Sequence, residues 1–299
     1  MAAEFPGIKE LQAAYRARRP ADTDALRPEP PDGLRPAWGT LGQGIDHRLR
    51  YAFSDQDGPS SAVSSGMVLA AAGPNQTVIA AIGSAADGLR AALADLISHE
   101  RPADRSHGLE LAADAEEHLL RICYAMAWFE EVYRTGRLWP GTPLGEADGN
   151  LTATDLLAAV PTYAVADLRA QVHLAAGCLS ELRAVSAPGQ VQAGPVFTGS
   201  RDVGGADADV IINDLLLEVK ASTKAVIKRE GFYQLIGYLL LDYNDVYRIR
   251  RVGLYLVRFG HLVTWTVPEL LVLLGAQHNL AELRKIFADT VADRDDRQD

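Results

Sequence analysis

The stretch GGADADVIINDLLLEVKAS (residues 204–222), followed by GFYQLIGYLLLDY (231–243), decides how this chain is read. ADVII and LLLEVKA are β-branched and aliphatic, with Asn213-Asp214 between them as turn material, so they predict the two strands of a hairpin. A two-residue turn sets Asp209 opposite Glu218. Side chains alternate with period two along a strand, so Glu218 and Lys220 share one face, and Asp209 and Asp207 lie across from them. Three carboxylates and an amine then crowd one face of an apolar hairpin.

Like charges at cross-strand distance repel, and charges inside a sheet are costly to desolvate. A hard divalent cation removes that penalty by taking carboxylate oxygens. Lys220 beside it could hold a water or a phosphate oxygen, which is the chemistry of metal-assisted phosphodiester hydrolysis. The plain alternative is a solvated strand face with two loop acids.

Asp209 followed by Glu218-Val219-Lys220 resembles the D…(D/E)xK signature of the PD-(D/E)XK nuclease superfamily. Gln234 and Tyr238, four residues apart on one face of the predicted helix, resemble the QxxxY motif of its RecB-like and Cas4-like branch. The resemblance covers roughly the last third of the chain. It implies an α/β fold with a restriction-endonuclease-like αβββαβ core, here preceded by a large helical portion. It implies Mg²⁺ or Mn²⁺ held by Asp209 and Glu218, with Asp207 as the alternative to Asp209. Lys220, Gln234 and Tyr238 complete the implied catalytic set. The implied activity is hydrolysis of nucleic acid, DNA by preference, in genome defence or repair, with a second copy of the chain or a defence or repair protein as a further partner. The alternative is an inert module of the same fold that binds nucleic acid or joins an assembly.

The first strand is expected at 191–198, a central strand at 252–259 and a further strand at 262–267, with Pro268 opening a helix. The segment WGTLGQGIDHRLRYAF (38–53) predicts a helix from about Leu41. RecB-like nucleases carry a Gly followed by a metal-site His on an early helix. Here Gly42 is followed four residues on by Asp46, with His47 beside it, so the resemblance makes Asp46 a further candidate ligand. The plain reading is a helix surface carrying an Asp-His pair. Glu181 is a candidate by position only, and a surface residue is the better reading. Glu116, Glu117, His118, Glu130 and Glu131 form no HExxH pattern and are expected on a solvated acidic face.

Composition bounds the rest. The 299 residues suffice for one large domain or two small ones, and 48% are hydrophobic. The expected division is an N-terminal arm and linker (1–36), a helical region (37–150), the nuclease core (151–275) and a C-terminal helix with a charged, frayed tail (276–299). Cys123 and Cys178 are too few for the iron–sulfur cluster of many Cas4-like proteins, so none is expected. They suit a reducing compartment. No apolar leader opens the sequence, and no uninterrupted apolar run reaches membrane-spanning length, so a cytoplasmic protein without a membrane partner is expected. A net charge of −10 argues against a generally basic surface. Between residues 220 and 258, however, Lys220, Lys224, Lys228, Arg229, Arg248, Arg250, Arg251 and Arg258 face only Glu230, Asp242 and Asp245. Lys224, Lys228 and Arg229 are the candidate nucleic-acid contacts. Arg248, Arg250 and Arg251 read equally well as residues that solvate a helix end.

Overall fold

The computed structural model describes residues 4–54, 58–100, 109–186 and 189–295. In chain order the elements are α1 (Ile8–Arg16), α2 (Trp38–Phe53), α3 (Ser61–Ala70), α4 (Gln76–Glu100), α5 (Ala113–Thr135), α6 (Ala153–Ala158), α7 (Thr162–Ala184), β1 (Val191–Ala193), β2 (Val210–Ile212), β3 (Leu215–Lys220), α8 (Arg229–Leu241), β4 (Arg251–Leu256), β5 (His261–Thr266), α9 (Val267–Leu273) and α10 (Leu280–Asp295). The protein is mixed α/β and mostly helical. It divides into a sheet unit, Met1–Ala25 with Ser186–Asp299, and a helical unit, Leu26–Val185.

The sheet unit holds one five-stranded sheet in the order β1-β2-β3-β4-β5. All neighbouring pairs are antiparallel except β3 and β4, which run parallel and are joined by the crossover helix α8. Leu215, Leu216 and Leu217 are all buried, and so are all of β4's residues after Arg251, as expected for central strands covered on both faces. Asn213 turns the hairpin at φ +55, a left-handed conformation that Asn tolerates better than most residues. Pairing of Val210 with Leu217 and Ile212 with Leu215 gives the register expected from the sequence. Strand β1 covers only three of the residues expected for it, because Gly194 turns to φ +60 ahead of Pro195.

The N-terminal residues are part of this unit rather than an arm. Ile8, Leu11 and Tyr15 recur at helical spacing and are buried in the same core as Phe232, Leu235 and Leu239 of α8. Tyr15 meets Phe232 edge-on at 5.5 Å, and its hydroxyl donates to the Ala225 carbonyl at 2.7 Å. Asp22 accepts from the Ala225 N–H at 2.8 Å, so the segment between β3 and α8 is tied down from both sides. At the other end, α10 continues through Asp295, into the tail expected to fray; residues 296–299 lie outside the described residues.

In the helical unit α5 packs on α2, α3 and α7. Gly66 permits the close approach of α3, since a Cβ there would stand 1.9 Å from the Phe129 carbonyl oxygen. Helices α6 and α7 belong here, not with the sheet as the expected division had it. Thr152 caps α6 through a reciprocal pair with Asp155. Among the described residues one helix, α4, is long and apolar enough to cross a membrane, although Asp87, Arg90 and Asp95 interrupt its apolar run. Its Ile82, Leu89 and Leu93 side chains are buried, and it packs on α3, α5 and α6.

The acidic face expected on α5 is in part a buried ionic core. Arg48 of α2 grips Glu116 through two bonds of 2.7 and 2.6 Å and also donates to the Leu109 carbonyl. His47 lies 3.0 Å from Glu130, which also accepts from Arg134. Burial pushes the Glu130 carboxyl up, but the hydrogen bond and charge of His47, with those of Arg134, outweigh it and hold the group down at about 2. Glu117 does sit at the surface, paired with Arg121 and Arg169.

Candidate functional site

Continuing the β2–β3 register by one pair puts Asp209 across from Glu218. Strand β2 ends at Val210, while pairing on its β1 side runs on to a bridge between Val196 and Asp207. Beyond Val210 the next β3 donor, the Val219 N–H, is taken by Asp209 Oδ2 at 2.6 Å. Asp209 is thus fixed by its own side chain where the two strands cease to pair. Glu218 is 3% exposed, whereas Asp207 lies at the surface.

Two residues along β3, Lys220 Nζ donates to Glu218 Oε1 at 2.7 Å and to Gln234 Oε1 at 3.1 Å. Gln234 Nε2 in turn donates to the Tyr238 hydroxyl at 2.8 Å. Gln234 and Tyr238 are one turn apart on α8, so one helix face carries both ends of this chain. Burial raises the Tyr238 phenol above its ordinary pKa; the negative charges of Glu218, Asp209 and Asp207 add to this, and the Gln234 hydrogen bond opposes it. The three carboxylates therefore converge electrostatically on Tyr238. The phenol keeps its proton and remains a hydrogen-bond donor.

Phe197 stacks on Tyr238 at 5.7 Å, and Tyr247 meets Phe197 edge-on at 5.5 Å. The sequence offered no signal for these two aromatics, because they come from loops far from the motif residues. Lys224, Lys228 and Arg229 are exposed along the segment that leads into α8, with the Arg229 guanidinium 5.9 Å over the Tyr233 ring.

Three arginines of the expected basic patch are used elsewhere, while Arg248 is exposed. Arg258 is buried and donates to the Ala221 carbonyl. Arg250 pairs with Asp245, and Arg251 with Asp214. Arg251 aligns with Leu215 and Lys220 with Leu256, so the Arg251 end of β4 lies about 17 Å along the sheet from the lysine. Asp46 belongs to the helical unit, where its carboxylate accepts from Arg50 at 2.8 Å one turn on. Glu181 is exposed on α7.

The donor set suits a hard cation. Asp209 and Glu218 offer only oxygen, Asp207 adds a third carboxylate nearby, and Lys220 balances one charge of the three. Among the described residues no group of three or more His, Cys, Asp or Glu side chains is gathered closely enough to hold a metal ion alone. Mg²⁺ commonly takes one or two carboxylates and completes its shell with water and phosphate oxygens. Comparison of the chain with protein-family models, with curated proteins and with solved structures gave no significant match.

Proposed function

We propose that this chain is a divalent-metal-dependent nuclease of the PD-(D/E)XK superfamily, in its RecB/Cas4-like branch, acting on DNA in the cytoplasm. On this reading the sheet unit is a restriction-endonuclease-like core. The observation that carries the reading is the continuous network from Glu218 through Lys220 and Gln234 to Tyr238, beside Asp209 in register across the hairpin. A surface strand face would not hold its lysine between two partners, nor tie it to a phenol on a separate helix.

Asp209 and Glu218 would hold Mg²⁺ or Mn²⁺, with Asp207 in reserve. When bound, such an ion polarises the phosphate and lowers the pKa of a bound water. The residues of the chain do the rest. Lys220 is held at a fixed point by Glu218 and Gln234, so its ammonium meets the charge that builds on the phosphorane without reorganising. Tyr238, protonated, donates to a phosphate oxygen of the strand. Lys224, Lys228 and Arg229 contact flanking phosphates. The test is incubation of the purified chain with circular and linear, single- and double-stranded DNA, with Mg²⁺, Mn²⁺ or chelator. Metal-dependent cleavage that disappears in Lys220→Ala supports the reading. No cleavage of any substrate by the wild type favours an inert module.

A further inference from the structure

The segment 221–228 leads from Lys220 at the end of β3 into α8, the helix of Gln234 and Tyr238. It forms neither helix nor strand, and connections of that kind are ordinarily among the mobile parts of a fold. Here the segment is cross-tied. Ala225 is fully buried, and both of its backbone groups are taken by the N-terminal region. The Tyr15 hydroxyl, 210 positions away, donates to its carbonyl at 2.7 Å. Asp22 Oδ1, 203 positions away, accepts from its N–H at 2.8 Å. Arg258 holds the start of the segment through the Ala221 carbonyl, also at 2.8 Å. The clamp is itself anchored on edge strand β5: Arg18 donates to the Thr264 carbonyl, and the His261 ring lies 2.8 Å from the Arg18 carbonyl.

Buried Ala225 and Ile227 alternate with exposed Lys224, Val226 and Lys228, and Arg229 follows at the start of α8. The clamp therefore grips one side of the segment while the other side presents cations outward. Among the described residues none of these three cations has an acidic partner, in contrast to Arg250 and Arg251. Cations left unneutralised on a fixed backbone, in a chain of net charge −10, suit a run of phosphates. The entropy of ordering the segment is lost on folding and is not lost again on binding.

We propose that Tyr15 and Asp22 are positioning residues for nucleic acid: by clamping Ala225 they hold 221–228 as a fixed track along which the sugar–phosphate backbone of one strand lies, beside Lys220. This rests on the nuclease reading and adds to it a role for the N-terminal region, which carries no motif residue. Neither Tyr15 nor Asp22 touches the strand. Deleting the negative charge of Asp22 would by itself favour a polyanion, and it would also release Arg19, which pairs with Asp22 at 3.3 Å. Charge alone therefore makes Asp22→Ala bind nucleic acid more tightly, whereas loss of the clamp makes it bind more weakly.

Fluorescence anisotropy of the full chain in chelator reads DNA affinity against salt without metal-dependent cleavage. Labelled oligothymidylate and a duplex of equal length serve as the two sources of a strand. The expected result is salt-sensitive binding of one or both. Lys224→Gln combined with Lys228→Gln should lower the slope of log K against log salt by roughly 1.4–1.8, at about 0.7 per phosphate on a single strand and 0.9 on a duplex. Asp22→Ala and Tyr15→Phe should each weaken binding about fivefold or more and make the slope shallower, because fewer cations of a freed segment meet phosphates at once. Asp22→Asn keeps an acceptor for the Ala225 N–H and should restore most of the affinity. Asp22 is partly exposed, so Asp22→Ala decides the matter should Tyr15→Phe lose its fold. The proposal is overturned by absence of wild-type binding to either DNA at low salt, by wild-type or tighter binding in Asp22→Ala, or by equal loss in Asp22→Asn and Asp22→Ala. Metal-dependent cleavage alongside unaltered affinity in Asp22→Ala would remove the clamp and leave the nuclease reading standing, so the two failures are distinguishable.

Discussion

Replacing Glu130 by glutamine removes one charge from the buried ionic core of the helical unit while keeping the volume. The wild-type carboxyl is held at about 2, against an ordinary 4.5, by His47 and Arg134 acting against burial. The folded-state pKa is depressed, so the stabilisation is fully present above 4.5 and is lost as pH falls through 4.5 toward 2. A shift of this size corresponds to ~3 kcal/mol at neutral pH, of which ~2 kcal/mol is gone by pH 3. Glu130→Gln has no such titration at this site. The stability gap between wild type and variant should therefore be ~3 kcal/mol near pH 7 and shrink to ~1 kcal/mol near pH 3. Urea unfolding followed by tryptophan fluorescence measures it, since Trp128 lies buried on the same helix. Groups away from Glu130 titrate alike in both proteins and cancel in the difference. A gap that stays constant or widens on acidification would refute the reasoning.

Arg48→Met strands the Glu116 carboxylate without its two strongest bonds, and should cost ~3–5 kcal/mol in urea unfolding, much of it recovered by adding Glu116→Leu. Gly66→Ala should destabilise by ~2 kcal/mol, because the new methyl meets the Phe129 carbonyl, whereas Gly177→Ala, with open space around it on α7, should stabilise by ~0.5–1 kcal/mol; thermal melts of the two variants separate these signs. Gln234→Ala should lower single-turnover cleavage by ~10-fold while changing stability by under ~1 kcal/mol, since it frees Lys220 on one side only. Unchanged cleavage in Gln234→Ala would separate α8 from the chemistry.

The hairpin was legible because two local rules fix it: Asn213-Asp214 sets the turn, and period-two alternation then sets which carboxylates can meet. The helix carrying Gln234 and Tyr238 was legible for the same reason, as four-residue spacing determines a face. What escaped the sequence depends on partners far along the chain. Glu116 and Glu130 read as solvated acids because nothing local shows that Arg48 and His47 arrive from α2 to meet them. Arg250, Arg251 and Arg258 counted toward a local basic patch, with Arg250 and Arg251 reading equally well as solvating a helix end, until the register put Arg251 at the far end of β4 and the Ala221 carbonyl claimed Arg258. Helix α1 read as an arm, although its apolar spacing was visible, because the sequence does not say which core an amphipathic helix will join. Phe197 and Tyr247 carry no motif and become visible only through their stacking on Tyr238.

The central claim is that Lys220 is held between Glu218 and Gln234 in order to stabilise charge on a phosphate undergoing attack. Single-turnover cleavage of a DNA that the wild type cuts, at saturating Mg²⁺, tests it most directly when Lys220→Ala is compared with wild type alongside calorimetric Mg²⁺ binding. The account predicts a folded variant that binds metal at least as well as wild type and cleaves ~10²-fold or more slowly, with little recovery in Lys220→Arg. Cleavage by Lys220→Ala at the wild-type rate would contradict it.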